Sequence, residues 1–161
     1  MIRDARASDL AAIVAIYNAA IPGRLATADT EPISVESRRD WLQAHDAARH
    51  PLWVLERGGR LVGWLSVSPF YGRPAYAATA ELSVYVDPAA QKAGVATELV
   101  AHALARAGAL GLRTYLGFIF AHNARSIALF GKVAFEEWAR LRVAVLDGIE
   151  RDLLILGKRL D

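Results

Sequence analysis

Residues 79–87 read TAELSVYVD, an alternation that puts Leu82, Val84 and Val86 on one face of a strand and Glu81, Ser83 and Tyr85 on the other. Pro88 ends that strand. After Gly94 the pattern changes period: Val95, Leu99, Val100, Ala103, Leu104 and Ala107 mark one face of a helix that stops near Gly108 or Gly111. The loop between them, DPAAQKAG, carries a second constraint. A helix start exposes N–H groups with no intrahelical acceptor, and the helix dipole adds partial positive charge there, so the place suits phosphate oxygens. Gly94 and the small Ala96 let a diphosphate approach that backbone closely. On glycine spacing alone the signal is weak. A dinucleotide fold would carry its glycines after the first strand, with an acidic residue ~20 positions on, whereas these follow the fourth strand.

The rest of the chain supplies the frame. A short strand opens it, followed by a helix with Leu10, Ile13, Val14 and Tyr17 at helical spacing, Ser8 or Asp9 as its N-cap and Pro22-Gly23 as its end. A long polar segment follows, until Ser34 caps a second helix that turns Val35, Trp41 and Leu42 inward. PLWVLERGGRLVGWLSV is a hairpin about Gly58-Gly59, LRTYLGFIF a buried strand, and NARSIALFGKVAF a helix capped by Asn123. EEWARLRVAVL and RDLLILGKRL read as two strands around a turn at Asp147-Gly148. The expected order is β-α-α-β-β-β-α-β-α-β-β.

Composition narrows the classes. With 161 residues, 54% apolar and 22% charged, the chain closes one core, so residues 1–161 are expected to be a single domain. The absence of cysteine excludes disulfides and thiolate chemistry, and suits a reducing cytoplasm. Charged residues in MIRDARASDL argue against a signal peptide, and no apolar run reaches the roughly 20 residues of a membrane span. The net charge is only +2 and the basic residues are scattered, so neither nucleic acid nor a membrane is an expected partner.

QKAGVA, between an apolar strand and a helix, fits the Q/R-x-x-G-x-G/A signature of the GNAT superfamily of N-acetyltransferases. FYGRPAYAATAELSVYV further resembles the F-x-x-R-x-x-Y…E-x-S-V-Y-V run of its phosphinothricin and methionine sulfoximine acetyltransferase group. IYNAAI, EPISVESRRDWL and NARSIALF fall in the order of that group, so the resemblance covers nearly the whole chain. It implies an α/β (α+β) GNAT fold: a central mixed, mostly antiparallel sheet with splayed fourth and fifth strands, flanked by helices.

The resemblance also implies a chemistry, in which acetyl moves from acetyl-CoA to the amine of a small amino-acid-like acceptor by direct attack in a ternary complex. Cofactor contacts would come from Gln91, Lys92, Ala93, Gly94, Val95, Ala96 and Thr97 around the diphosphate. The Val84, Tyr85 and Val86 stretch would pair with the pantetheine arm like an added strand, and Asn123 and Ser126 would lie on the far side. Asn123 reads equally as a plain N-cap. Glu81 takes the position of the catalytic base, required because an alkylamine with a pKa near ~10 is protonated at neutral pH. Arg73 and Tyr76 match the acceptor-binding positions, where an arginine can hold a carboxylate through two parallel bonds. A homodimer is implied as well, and no metal.

The match is incomplete. Phe130 stands where relatives carry a histidine and Ala134 where they carry a glycine. Lys92-Ala93 replaces Gly followed by a basic residue, and the segment 146–152 lacks the relatives' lysine and tryptophan. The proton donor for the CoA thiolate is thus unassigned, with Tyr85 and Tyr115 as stand-ins. His45, His50, His102 and His122 form no i, i+4 ligand pair and read as structural or solvated. Trp53, Trp64 and Trp138 read as core, while Trp41 could wall an acceptor pocket. Two rival readings stay open: acetylation of a peptide or protein N-terminus, and a non-catalytic acyl-CoA-binding module.

Overall fold

The computed structural model describes residues 1–160. Its elements follow the expected order: β1 (Ile2–Asp4), α1 (Leu10–Ala20), α2 (Arg39–Gln43), β2 (Leu52–Arg57), β3 (Arg60–Pro69), β4 (Thr79–Val86), α3 (Val95–Arg106), β5 (Thr114–Phe120), α4 (Ala124–Gly131), β6 (Glu136–Leu146) and β7 (Ile149–Arg159). All seven strands join one sheet in the order β1-β2-β3-β4-β5-β7-β6, and only the β4–β5 pair is parallel. Among the described residues no helix is long and apolar enough to cross a membrane.

Local chemistry accounts for the tight turns. Gly58 and Gly59 have φ of +57° and +75°, and Asp147 and Gly148 have +51° and +78°, the paired positive values that match hairpin turns to strand twist. Burial sets the less obvious neighbour, β7 rather than β6 beside β5. Leu154 and Leu156 of β7 are 3% exposed, whereas Val143 and Val145 of the β6 edge are 66% and 63% exposed. Trp138 is on that edge too, half exposed and lying over Gly157, so it is not the core residue expected. The first helix also departs from expectation at its start. Asp9 makes no side-chain cap there, and its carboxylate instead accepts from the Arg6 N–H at 2.7 Å and pairs with Arg3, which also meets Glu56 and so fastens β1 to β2.

Helices cover both faces. On one, Ile13, Ile16 and Tyr17 of α1 pack on Leu52, Val54 and Trp64; on the other, Val95, Leu99, Val100 and Ala103 of α3 pack on Leu55, Leu65, Val67 and Leu82. Each fully buried Leu, Val or Ile contributes about 1.5–3 kcal/mol. Gly63 lets α3 come this close: a Cβ there would lie 2.6 Å from Val95 Cγ1 and 3.0 Å from the Tyr85 carbonyl oxygen. The start of α3 is thereby held beside the last residues of β4.

β4 and β5 pair only at Thr79↔Thr114, Ala80↔Tyr115 and Glu81↔Leu116. Beyond Glu81, β4 stays on β3 as far as Val86↔Gly63 while β5 follows β7 to Phe120↔Leu153, and a wedge opens between them. This is the splay expected of the fourth and fifth strands.

Candidate active site

The wedge presents main chain. The Thr79 carbonyl accepts from Phe70 and the Asp87 N–H donates to Val62, both on the β3 side. The Ala78 carbonyl accepts from Arg113 and Thr114, toward β5. Because amide direction alternates along a strand, the polar groups of Leu82, Val84 and Val86 face the wedge, where β5 no longer answers them. At the wide end lies the loop before α3. Gly94 adopts the left-handed conformation, φ +80°, and the first helical bond is donated by Glu98 to the Gly94 carbonyl, so the N–H groups of Val95, Ala96 and Thr97 precede the ladder. Arg57 steadies this loop by donating to the Ala93 carbonyl at 2.8 Å and pairing with Glu98. From the opposite side Arg125 Nη1 donates to Gln91 Oε1 at 2.7 Å.

Two departures from the family pattern keep a glycine-like backbone. Lys92 has φ +63° and Ala134 φ +60°, in the left-handed region where a Cβ costs about 1–2 kcal/mol. The side chains differ, but the turns do not.

The face of β4 turned away from α3 presents side chains. A cavity of about 240 Å³ lies between α1, the α2 segment and the sheet. Its floor is polar: Ser66 and Ser68 of β3 stand beside Ser83 and Glu81 of β4, in register. Burial pushes the Glu81 carboxyl above its ordinary range, and Ser83 Oγ, donating to it at 3.4 Å, offsets this in part. The walls are aromatic. Tyr85 stacks on Trp64 with ring centroids 4.6 Å apart, Tyr17 and Trp41 close the sides, and the Arg38 guanidinium sits 5.2 Å from the ring centres of both Tyr17 and Trp41.

A loop after α1 braces both regions. Tyr85 donates its hydroxyl to the Ala26 carbonyl at 2.9 Å, Tyr17 bonds with Thr27 and Asp29, and Arg24 pairs with Asp147 at 2.8 Å. His122 Nε2 meets the Arg24 carbonyl at 2.8 Å, and Asn123 Nδ2 donates to the Leu25 carbonyl at 3.0 Å.

A splayed parallel pair, a left-handed glycine before α3 and a glutamate at the point of divergence are accompanied by a match to the Acetyltransferase (GNAT) family model over residues 13–135. The chain belongs to the GNAT acetyltransferase family. As a GNAT N-acetyltransferase it is 46% identical to a Bacillus subtilis (strain 168) protein provisionally named a phosphinothricin acetyltransferase, over 99% of this chain and 98% of that protein. It is 30% identical to the L-methionine sulfoximine/L-methionine sulfone acetyltransferase of Salmonella typhimurium (strain LT2), over 99% of this chain and 94% of that one. The Sinorhizobium meliloti phosphinothricin acetyltransferase, crystallised with acetyl-CoA, superposes with a TM-score of 0.92 at 28% identity, covering 99% of this chain and 88% of the other. The type of acetyltransferase is therefore that of the phosphinothricin and methionine sulfoximine enzymes.

The sequence-selected residues fall into four places. Val84, Val86, Gln91, Lys92, Ala93, Gly94, Val95, Ala96 and Thr97 lie along the wedge and its mouth. Glu81 and Tyr85 turn to the cavity. Asn123 is buried and engaged at both ends, Oδ1 accepting from the Ser126 N–H and Nδ2 donating to Leu25, so it acts as a cap and a tie. Arg73 and Tyr76 are exposed on the β3–β4 loop and do not line the cavity. Trp41 does line it, together with Tyr17, Trp64, Arg38 and the floor serines, none of which had been selected from the sequence as site residues. One available signal was the Arg38-x-x-Trp41 spacing in EPISVESRRDWL, which puts both on one helical face. Tyr115 is removed as a proton donor to the thiolate: it is fully buried on the α3 side, donates to the Ala103 carbonyl at 3.0 Å, and burial pushes its phenol up to about 12.

Proposed function

We propose that the protein acetylates the amine of a small amino-acid-like acceptor of the phosphinothricin, methionine sulfone or sulfoximine kind, with acetyl-CoA as donor. The observation that carries this reading is Glu81. It is a half-buried carboxylate on the floor of a cavity small enough for such an acceptor, at the residue where β4 and β5 part and the wedge begins.

The residues present fit acetyl-CoA. The free N–H groups of Val95, Ala96 and Thr97 would hold its diphosphate, with Lys92 and Arg57 as nearby cations. The unanswered main chain of Val84 and Val86 would pair with the amides of its pantetheine arm. Acetyl-CoA supplies an activated acetyl group as a thioester. Glu81 takes a proton from the acceptor ammonium, directly or through a water, and the raised carboxyl makes it a better base than a solvated glutamate. The N–H groups of β4 that face the wedge are the donors able to stabilise a developing oxyanion. Trp64, Tyr85 and Trp41 keep water from the acceptor side.

The test is CoA release and acetylated-product mass over a panel of amino acids, their sulfone, sulfoximine and phosphinic analogues, and short peptides. Turnover concentrated in the analogues supports the reading. Tight acetyl-CoA binding without turnover on any amine favours the binding-module alternative, and turnover confined to peptides favours N-terminal acetylation. The homodimer belongs to the same proposal, and light scattering in solution tests it.

A further inference from the structure

Arg38 is a cation without a carboxylate. Among the described residues no ion pair includes it, although Arg39 next to it pairs with Glu36. Its guanidinium carbon instead lies over the rings of Tyr17 and Trp41, 5.2 Å from each centre, and the residue lines the cavity that Glu81 lines from the floor. A cation–π contact consumes no N–H donor, and the guanidinium fork is the group matched to a carboxylate or phosphinate. Asp29, which accepts from the Tyr17 hydroxyl, makes no ion pair with Arg38.

We infer that Arg38 anchors the acidic group of the acceptor. The site is thus selective for small zwitterions, with the amine at Glu81 and the anion at Arg38. This rests on the acetyl-transfer reading and assigns the acceptor's second contact. It moves the anion site from Arg73, which is exposed outside the cavity, to a residue inside it. The same geometry excludes a class. The faces of Tyr17 and Trp41 that would attract a second ammonium are occupied by the chain's own cation, so polyamines and other multiply charged amines meet repulsion where a zwitterion meets a partner.

The experiment compares L-methionine sulfone with its carboxamide, which keeps the amine and sulfone but loses the negative charge. For the wild-type enzyme the acid has the lower KM by about tenfold or more. Arg38→Gln raises the KM of the acid by about tenfold or more, leaves that of the amide unchanged, and alters kcat and the acetyl-CoA KM by less than about threefold; Arg38→Lys recovers part of the loss. Equal losses for acid and amide would mean that Arg38 only packs the wall. A silent Arg38→Gln with the loss appearing in Arg73→Gln would return the anchor to Arg73. Either result overturns the inference. Calorimetric binding of L-methionine sulfone in the presence of CoA separates this from the parent reading. Arg38-dependent binding without turnover keeps the anchor and removes the transfer chemistry, and binding indifferent to Arg38 removes the anchor while turnover still stands.

Discussion

On the wedge side of β4, the features that receive a ligand are main-chain amides: the free edge at Val84 and Val86 and the first turn of α3. On the cavity side, the corresponding features are side chains drawn from α1, the α2 segment, β3 and β4. The same strand serves both, alternate residues turning their amides to the wedge or their side chains to the cavity. A surface made of amides depends on backbone shape, which survives side-chain replacement. Lys92, in the loop before α3, illustrates this by holding φ +63° with a side chain in place. A surface made of side chains changes with every substitution, and that is where acceptor preference can diverge while the donor stays the same.

The largest effect that would sharpen this contrast is expected at the residue where the two regions meet. Glu81→Gln should lower kcat by about 10²–10⁴ while acetyl-CoA affinity is retained; near-normal turnover would break the comparison at its centre. In the wild type, kcat/KM should fall as pH drops through a carboxyl held above its ordinary value of 4.5 by burial. Stability has the opposite sense. The folded pKa lies above the unfolded one, so the contribution is fully present below the unfolded value and is lost as pH rises through the folded value. Glu81→Gln escapes that loss, and thermal melts at acid and neutral pH should show a smaller decline for the variant.

A smaller effect tests the amide side. Gly94→Val places a β-branched residue at φ +80°, where the strain is about 1–2 kcal/mol. The acetyl-CoA KM should rise about tenfold and the acceptor KM should not move, a split read directly from two-substrate kinetics. Equal movement of both would mean that the regions are not separable. The smallest effect is a control remote from both: Ala134→Gly, at φ +60°, should stabilise the fold by about 0.5–1 kcal/mol, read as a higher urea midpoint, and leave both KM values alone.

The amide side was legible in the sequence because strand alternation, Pro88, Gly94 and the helical period of Val95 to Ala107 are contiguous. Hairpins at Gly58-Gly59 and Asp147-Gly148 were legible for the same local reason. The cavity side was not. Tyr17, Arg38, Trp64 and Ser66 are far apart in the chain and look like ordinary helix, loop and core residues until the sheet assembles them. Arg73 and Tyr76 show the other direction, since their spacing from Glu81 matched a pattern while the β3–β4 loop carries them to the surface, outside the cavity. Asn123 shows a third case, a residue whose capping role was readable but whose tie to Leu25 depends on a loop 98 residues away.

The alternation of β4 limits how such a protein can diversify. Inserting or deleting one residue between Glu81 and Asp87 would turn the carboxylate toward α3 and present hydrophobic groups to the acceptor, because neighbouring positions point oppositely. Descendants of this chain can exchange letters within those positions but cannot change their number by one. New specificities are consequently expected to arise with the spacing from base to phosphate loop held constant, and length variation should collect in the connections at the ends of the sheet.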